Sequence, residues 1–374
     1  MSSRNRPFKF PVSILIGSSP SNILKVIKGY RIDVRYYPKF LLSFLVSLIF
    51  EVMALAERIV EKRMLKNVVA EEPPIFVIGF WRSGTTLLHS MLCQDKRAGY
   101  VTTFQGVFPN LVLTQKKWLK EFTNTILPKN RPFDGYAMDM DFPQEEDFAL
   151  MSLQPRSIYK MFYFPKDYNE IYKKELNFEV LPEKERKHWK KKYLSLVHKA
   201  MKNSGGVRFI SKNPCNIFRI KTLMELYPDA RFIFIYRNPY SVVESFYRFA
   251  NEVLPGSELQ HLEGGIPREY FARLYKDALH EYMNVRETIK PGNLIEIRYE
   301  DFKKKPVEMI RDIYRQFNMP GIKEALPRME SYLGRNKPDG RQPYNIEPET
   351  YRLVNGYAGD IITRLEYQIT SPLE

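Results

Sequence analysis

The 374-residue chain carries 58 Lys and Arg against 43 Asp and Glu, a formal charge of +15, with 44% apolar and 27% charged residues. That composition excludes a disordered or fibrous protein. Its two cysteines, Cys93 and Cys215, exclude a disulfide framework and point to a reducing, cytoplasmic setting. No cysteine pair sits near a suitable pair of histidines, so no structural zinc site is expected. The charge excess fits nucleic acid, an anionic membrane face or a small polyanionic ligand, and composition does not choose among them.

Near the N-terminus, Arg4, Arg6 and Lys9 precede a short apolar run, Val12 to Ile16, opened by Pro11. No small-x-small cleavage site follows, so a secretory signal is not expected. A stronger apolar run, Phe40 to Phe50, is stopped by Glu51 before Val52 to Ala56. It is shorter than the roughly 20 residues of a membrane span. Arg31, Arg35 and Lys39 precede it, and Arg58, Lys62 and Arg63 follow. Two readings stand: a helix packed on the main domain, or a peripheral contact with a membrane surface. Glu71-Glu72-Pro73-Pro74 then punctuates the chain, which divides it into an N-terminal helical region, 1–72, and a main domain, 73–374.

Ile75 to Ile78 reads as a strand ending at Gly79, and further strands are expected at Val207 to Ile210, Phe232 to Tyr236 and Leu294 to Tyr299. The third of these is apolar throughout, as a strand buried on both faces would be. Helical spacing marks Ile217 to Tyr227 and Tyr240 to Leu254. The alternation predicts an α/β fold: a P-loop-type central parallel sheet flanked by helices, with an N-terminal helical extension. Ligands of such sheets sit at the carboxyl ends of the strands.

The segment Gly79-Phe-Trp-Arg-Ser-Gly-Thr-Thr-Leu-Leu88 joins the first strand to a helix and holds two glycines five apart. Inward-pointing amides and a helix N-terminus make an oxyanion its natural guest. Where a nucleotide-triphosphate loop carries lysine, this one has Thr85, and Arg82 brings the positive charge from inside the loop. The 232–236 strand ends in Arg237 rather than in an acid that would hold magnesium. Arg237, with Ser245 further on, can present a guanidinium fork and a hydroxyl to one phosphate. A surface ion pair with Asp229 or Glu244 is the competing role for Arg237.

These residues resemble the sulfotransferases that use 3'-phosphoadenosine 5'-phosphosulfate (PAPS). Arg82, Ser83, Gly84, Thr85 and Thr86 match that family's phosphosulfate-binding loop. Phe232 to Ser245 is similar to its 3'-phosphate element, with Arg237 and Ser245 at the matching spacing. Ser211-Lys212-Asn213-Pro214 places Lys212 where the family has a lysine near the transferring sulfuryl group, and Arg298 to Phe302 is a weaker match. The resemblance covers about residues 73 to 350. It implies PAPS as co-substrate, no metal, a small-molecule hydroxyl acceptor and no specific nucleic-acid partner.

Transfer to a hydroxyl needs a base. The cytosolic branch of the family places a histidine where this chain has Pro214, so that assignment fails. Pro143-Gln-Glu-Glu-Asp-Phe-Ala-Leu150 resembles a motif of another branch in which a glutamate is the base. Clustered carboxylates can raise one another's pKa, which makes Glu145 or Glu146 the candidate, Glu145 first. The competing reading is a helix start favoured by acids in its first turn. His89, one helical turn past the loop, is a further candidate or a core residue. Arg335, Lys337 and Arg341 sit in a Gly- and Pro-marked loop that, by the same resemblance, closes over the nucleotide. Trp81, Phe104, Phe108 and Met161 to Pro165 line an apolar acceptor cavity or belong to the core. With the run at 40–56 they favour a lipophilic acceptor, a sterol or another lipid alcohol. A carbohydrate acceptor, a nucleotide-dependent kinase and a basic membrane- or nucleic-acid-binding module are the alternatives.

Overall fold

Side chains alternate across strand β1 (Ile75–Ile78), and that alternation divides the core. Phe76 and Ile78 join one apolar layer while Ile75 and Val77 join another, and all four are buried. A strand covered on both faces is what a parallel sheet with helices on each side requires. The computed structural model describes residues 14–66, 68, 70–126, 139–252, 254–336 and 345–371. It places β1 at the centre of a parallel sheet with β2 (Ala98–Gly99), β3 (Arg208–Lys212), β4 (Arg231–Tyr236) and β5 (Leu294–Arg298). The strand order is β2-β3-β1-β4-β5. In register, Val77 faces Lys212 on one side and Ile233 on the other, so Lys212 rises beside the loop that leaves β1.

Helices α1 (Pro20–Ile27) and α2 (Tyr37–Met64) precede the sheet, and α3 (Thr85–Leu92) follows β1. They are followed by α4 (Lys116–Ile126), α5 (Glu146–Leu153) and α6 (Glu183–Ser204). After β4 come α7 (Pro239–Glu252) and α8 (Arg268–Val285), and α9 (Pro348–Arg364) lies near the end of the chain. Helices α7, α8 and α9 cover the face that carries Phe232 and Phe234. The opposite face, with Ile233, Ile235 and Ile297, is covered by α3 and the helices at 306–316 and 322–335.

The helix expected over Ile217 to Tyr227 is divided. A 3-10 turn, Pro214–Phe218, leads to a helix at Ile220–Leu226, with Arg219 at φ −130° between them. Arg219 leaves helical geometry and sends its guanidinium into a buried ion pair with Asp147.

Ahead of the sheet, Ser19 caps α1, and Asn22 and Ser18 bond to the Met151 and Ser152 carbonyls of α5. Helix α2 runs uninterrupted through Glu51 and is held on one side by Glu57. That carboxylate accepts from Lys199 Nζ of α6 at 2.7 Å and from the Leu113 amide at 2.9 Å.

Candidate active site

The β1–α3 loop depends on three unusual backbone positions: Gly79, Gly84 at φ +94° and Arg82 at φ +71°. Any Cβ at Gly84 would run into the Tyr299 ring, so glycine is required by space as well as by conformation. Arg82 is a left-handed non-glycine, a conformation that costs on the order of 1–3 kcal/mol and persists only where the surroundings enforce it. Here the turn sends Arg82 Nε to Ser245 Oγ of α7 at 3.2 Å and lays the guanidinium over Phe249. The Arg82 carbonyl accepts from Arg237 Nη1 at 3.3 Å, and Arg237 lies 4.7 Å over the Tyr299 ring.

Two guanidinium groups and a hydroxyl therefore meet at the carboxyl ends of β1 and β4, beside the positive end of α3. Ser83 and Thr85 are buried within the loop, and Thr86 is half-buried. The ion pairs that could have claimed Arg237 go elsewhere. Asp229 pairs with Lys290 at 2.9 Å, and Glu244 takes Arg248 at 2.7 Å and Arg268 at 3.3 Å. Among the described residues no acid pairs with Arg237. Tyr299 and Glu300 brace this corner, the latter accepting from the Asn238 amide at 3.0 Å.

Glu145 occupies the cap position of α5, yet its side chain makes no capping bond. Instead Oε1 accepts from Lys212 Nζ at 2.6 Å and Oε2 accepts from the Tyr159 hydroxyl. Trp81 Nε1 in turn donates to the Tyr159 oxygen at 3.1 Å. A continuous chain of contacts, Trp81–Tyr159–Glu145–Lys212, thus joins the phosphate-type loop to the end of β3. The Glu145 side chain is 14% exposed and that of Lys212 1%, so the carboxylate lies at the opening and the lysine behind it. Burial, reinforced by the Glu145 charge, holds the Tyr159 phenol well above its ordinary pKa, which keeps it a donor. Tyr159 carries no motif in the sequence; only folding brings it to the carboxylate.

The neighbouring acids have different surroundings. Glu146 is fully buried, and neither carboxyl oxygen has a hydrogen-bond partner among the described residues. Burial pushes it up to about 8, against the opposing pull of Ser211 and Lys212. For Asp147 burial alone would raise the pKa, but Arg219 bonds both oxygens, at 2.6 and 3.2 Å, and holds it below the usual range. Ser157 and Asn213 also donate to Asp147, which anchors α5 next to Glu145.

His89 is buried in α3, its Nε2 3.2 Å from the Ile210 carbonyl. Burial and the Lys212 charge lower it to about 3, so the ring is neutral. Arg335 ends the 322–335 helix exposed, and its bond is to Ser331 of the same helix. Lys337 and Arg341 lie outside the described residues. Among the described residues no group of three or more His, Cys, Asp or Glu side chains comes together as a metal-ligand set.

Of the two roles open to the aromatic residues, cavity lining or core, their burial favours core. Met161 to Phe164 are buried, and Trp81 stacks on Phe246 at 5.2 Å. Phe104 and Phe108 belong to a separate cluster beneath α2, with Phe108 edge-on to Phe50 at 5.3 Å.

A parallel sheet whose carboxyl edge gathers two arginines, a buried lysine and a partly open carboxylate defines a P-loop-type α/β enzyme that transfers an anionic group. Residues 73–324 match the sulfotransferase family, and the chain belongs to it. It is 29% identical over 338 residues to the omega-hydroxy-beta-dihydromenaquinone-9 sulfotransferase Stf3 of Mycobacterium tuberculosis and of Mycobacterium bovis. That similarity covers 90% of this chain and 86% of each relative. The fold is shared with sulfotransferase STF9 of Mycobacterium avium, with TM-score 0.69, 16% identity and coverage of 93% and 91% of the two chains. It is also shared with STF1 of M. tuberculosis, with TM-score 0.62, 18% identity and 90% coverage of each chain.

Proposed function

We propose that this sulfotransferase moves a sulfuryl group from PAPS to the hydroxyl of a lipophilic acceptor, a sterol or another lipid alcohol, and releases 3',5'-adenosine bisphosphate. The observation that carries the reading is Glu145, held between Lys212 and Tyr159 beside the Arg82–Arg237 cluster. The donor set fits a nucleotide with several anionic groups, because Arg237 has no acidic partner among the described residues. Arg82, Ser83, Gly84, Thr85 and Thr86 would hold the phosphosulfate end, with Arg237 and Ser245 at the 3'-phosphate. PAPS supplies an activated sulfuryl group on a phosphate leaving group.

Glu145 accepts the acceptor's hydroxyl proton at Oε1, the oxygen that Lys212 holds at rest. When Oε1 turns to the hydroxyl, the Lys212 ammonium is released toward developing negative charge. Tyr159 keeps Oε2 throughout, so the carboxylate changes partner without losing its orientation. Glu146 and His89 are buried, which favours Glu145 as the base.

The name of Stf3 specifies a hydroxylated dihydromenaquinone, a lipid alcohol, and this supports the same acceptor class here. The test is labelled PAPS with sterols, hydroxylated prenylquinones, phenols and sugars, alongside a thermal shift with 3',5'-adenosine bisphosphate. Transfer to a lipid alcohol together with a raised melting temperature is expected. Transfer to sugars alone would replace the acceptor class, and a folded protein with no shift would overturn the donor assignment.

A further inference from the structure

Helix α2 is patterned inside out. The residues it buries fully against the protein are Ser43, Ser47, Ala54 and Glu57, with Phe40, Phe44, Phe50 and Met53 partly buried beside them. The residues it presents outward are Leu41, Leu45, Leu48, Val52, Leu55 and Ile59, each between 44% and 79% exposed. A surface helix of a protein surrounded only by water shows the reverse. From Leu41 to Ile59 the stripe is about 27 Å long at 1.5 Å per residue, and continuous apolar patches of that extent mark interaction sites. The protein body covers the opposite face over the same length. At 28 residues the helix is long and apolar enough to cross a membrane, unlike the shorter run read from the sequence. With its opposite face covered, it is suited to lie along a bilayer surface instead.

Charge decides what covers the stripe. Lys28, Arg31 and Arg35 lie exposed in the chain that leads into its N-terminal end, and Lys62, Arg63 and Lys66 at its C-terminal end. None of the six has an acidic partner among the described residues. Nearby acids are engaged: Asp33 by Lys166 at 2.7 Å, Glu51 by Arg58 at 2.6 Å and Glu57 by Lys199. With both ends of the stripe basic, a second copy of the chain would set like charge against like charge in a parallel or an antiparallel arrangement. Anionic headgroups around an apolar interior complement both features at once.

The neighbouring α4 adds to the same end of α2. Its leading loop is tied to Glu57 through the Leu113 and Thr114 amides. Trp118 and Phe122, one helical turn apart on α4, are 45% and 58% exposed. Tryptophan favours the interfacial layer of a bilayer, where its ring is partly wet.

We infer that α2 is an in-plane membrane-binding helix whose outward stripe, Leu41 to Ile59, enters the interface of a bilayer bearing anionic headgroups. The stripe and its basic ends carry this independently of the enzyme reading, but the two fit together. Through α1 the same N-terminal segment rests on α5, the helix capped by Glu145.

The test is flotation with vesicles of phosphatidylcholine alone or with 30% phosphatidylglycerol, at low and high salt. Wild-type protein should float with the anionic vesicles and bind them at least tenfold less in high salt. The double variant Leu45→Glu/Val52→Glu should lose at least tenfold in binding while its circular-dichroism melting curve is kept. Lys62→Glu/Arg63→Glu serves as a second variant and should weaken binding to anionic vesicles only. No flotation of the wild type overturns the inference, as does flotation that both variants leave unchanged. Equal binding to neutral vesicles overturns the anionic component. A wild-type dimer that Leu45→Glu/Val52→Glu converts to monomer would assign the stripe to a contact between copies instead. None of these readouts uses PAPS, so failure here leaves the transfer reaction separately testable.

Discussion

Lys212 Nζ lies 2.6 Å from Glu145 Oε1, which ties the end of β3 to the cap of α5. Among the described residues Lys212 Nζ has no second hydrogen-bond partner, whereas Glu145 also accepts from the Tyr159 hydroxyl, so the lysine depends on the carboxylate in the resting enzyme. Glu145→Gln keeps one oxygen, for Lys212 or for Tyr159, puts an amide nitrogen in place of the other, and removes the charge and the proton acceptor. The turnover number should fall by about 10²–10⁴-fold, the usual contribution of general base catalysis. The thermal shift produced by 3',5'-adenosine bisphosphate should remain. Turnover within tenfold of wild type would place the base on another residue.

Tyr159 acts through Glu145, and Tyr159→Phe isolates that role. The variant keeps the ring in its contacts with Phe148 and Phe162 and removes only the hydroxyl that Trp81 and Glu145 share. A hydrogen bond to a charged group contributes about 1.5–3 kcal/mol, so kcat should drop roughly tenfold or more. KM for PAPS should stay within about twofold, because the loop arginines are untouched. A merely structural role would instead lower the melting temperature and leave kcat in place.

How much of this was legible beforehand differs from residue to residue. Strand β1 was readable to its last residue because an apolar, β-branched run stops at Gly79. Strand β2 was not, since Ala98 and Gly99 form no pattern and become a strand only by pairing with Arg208 and Phe209. Glu145 and Lys212 each stood in a recognisable motif, but a pair separated by 67 positions is a property of the sheet and not of either motif. Tyr159 was silent for the same reason. Trp81, Phe104 and Phe108 were ambiguous because aromatic residues pack cores and line cavities alike. The apolar run at 40–56 was plain, whereas which of its sides the protein covers depended on Glu57 finding Lys199.

Gly84 tests the loop. Gly84→Ala forces a Cβ into the left-handed region, a cost of about 1–2 kcal/mol, and drives it against the Tyr299 ring that supports Arg237. Both the melting temperature and the affinity for 3',5'-adenosine bisphosphate should fall, measured by calorimetric unfolding and titration. A variant that unfolds as wild type does and binds equally well would show that loop and ring can move apart freely.

Glu146 gives the stability curve its expected slope. Its carboxyl titrates near 8 when folded against an ordinary value of 4.5, so between these pH values the folded protein holds a proton that the unfolded chain has released. Stability therefore falls as pH rises through that window, by about 1.4 kcal/mol per pH unit. His89 works the other way. Lowered to about 3 from 6.5, it costs stability as pH falls below 6.5, because only the unfolded chain then takes up the proton. From pH 4.5 to 6.5 the two effects oppose each other, and from 6.5 to 8 Glu146 acts alone. Glu146→Gln, which cannot ionise, should raise the melting temperature at pH 8, remove the decline between 6.5 and 8, and uncover the His89 rise in stability from 4.5 to 6.5, while leaving the profile below 4.5 intact. Parallel pH profiles for wild type and variant would mean that the Glu146 carboxyl is ionised in the folded state and has partners that compensate its burial.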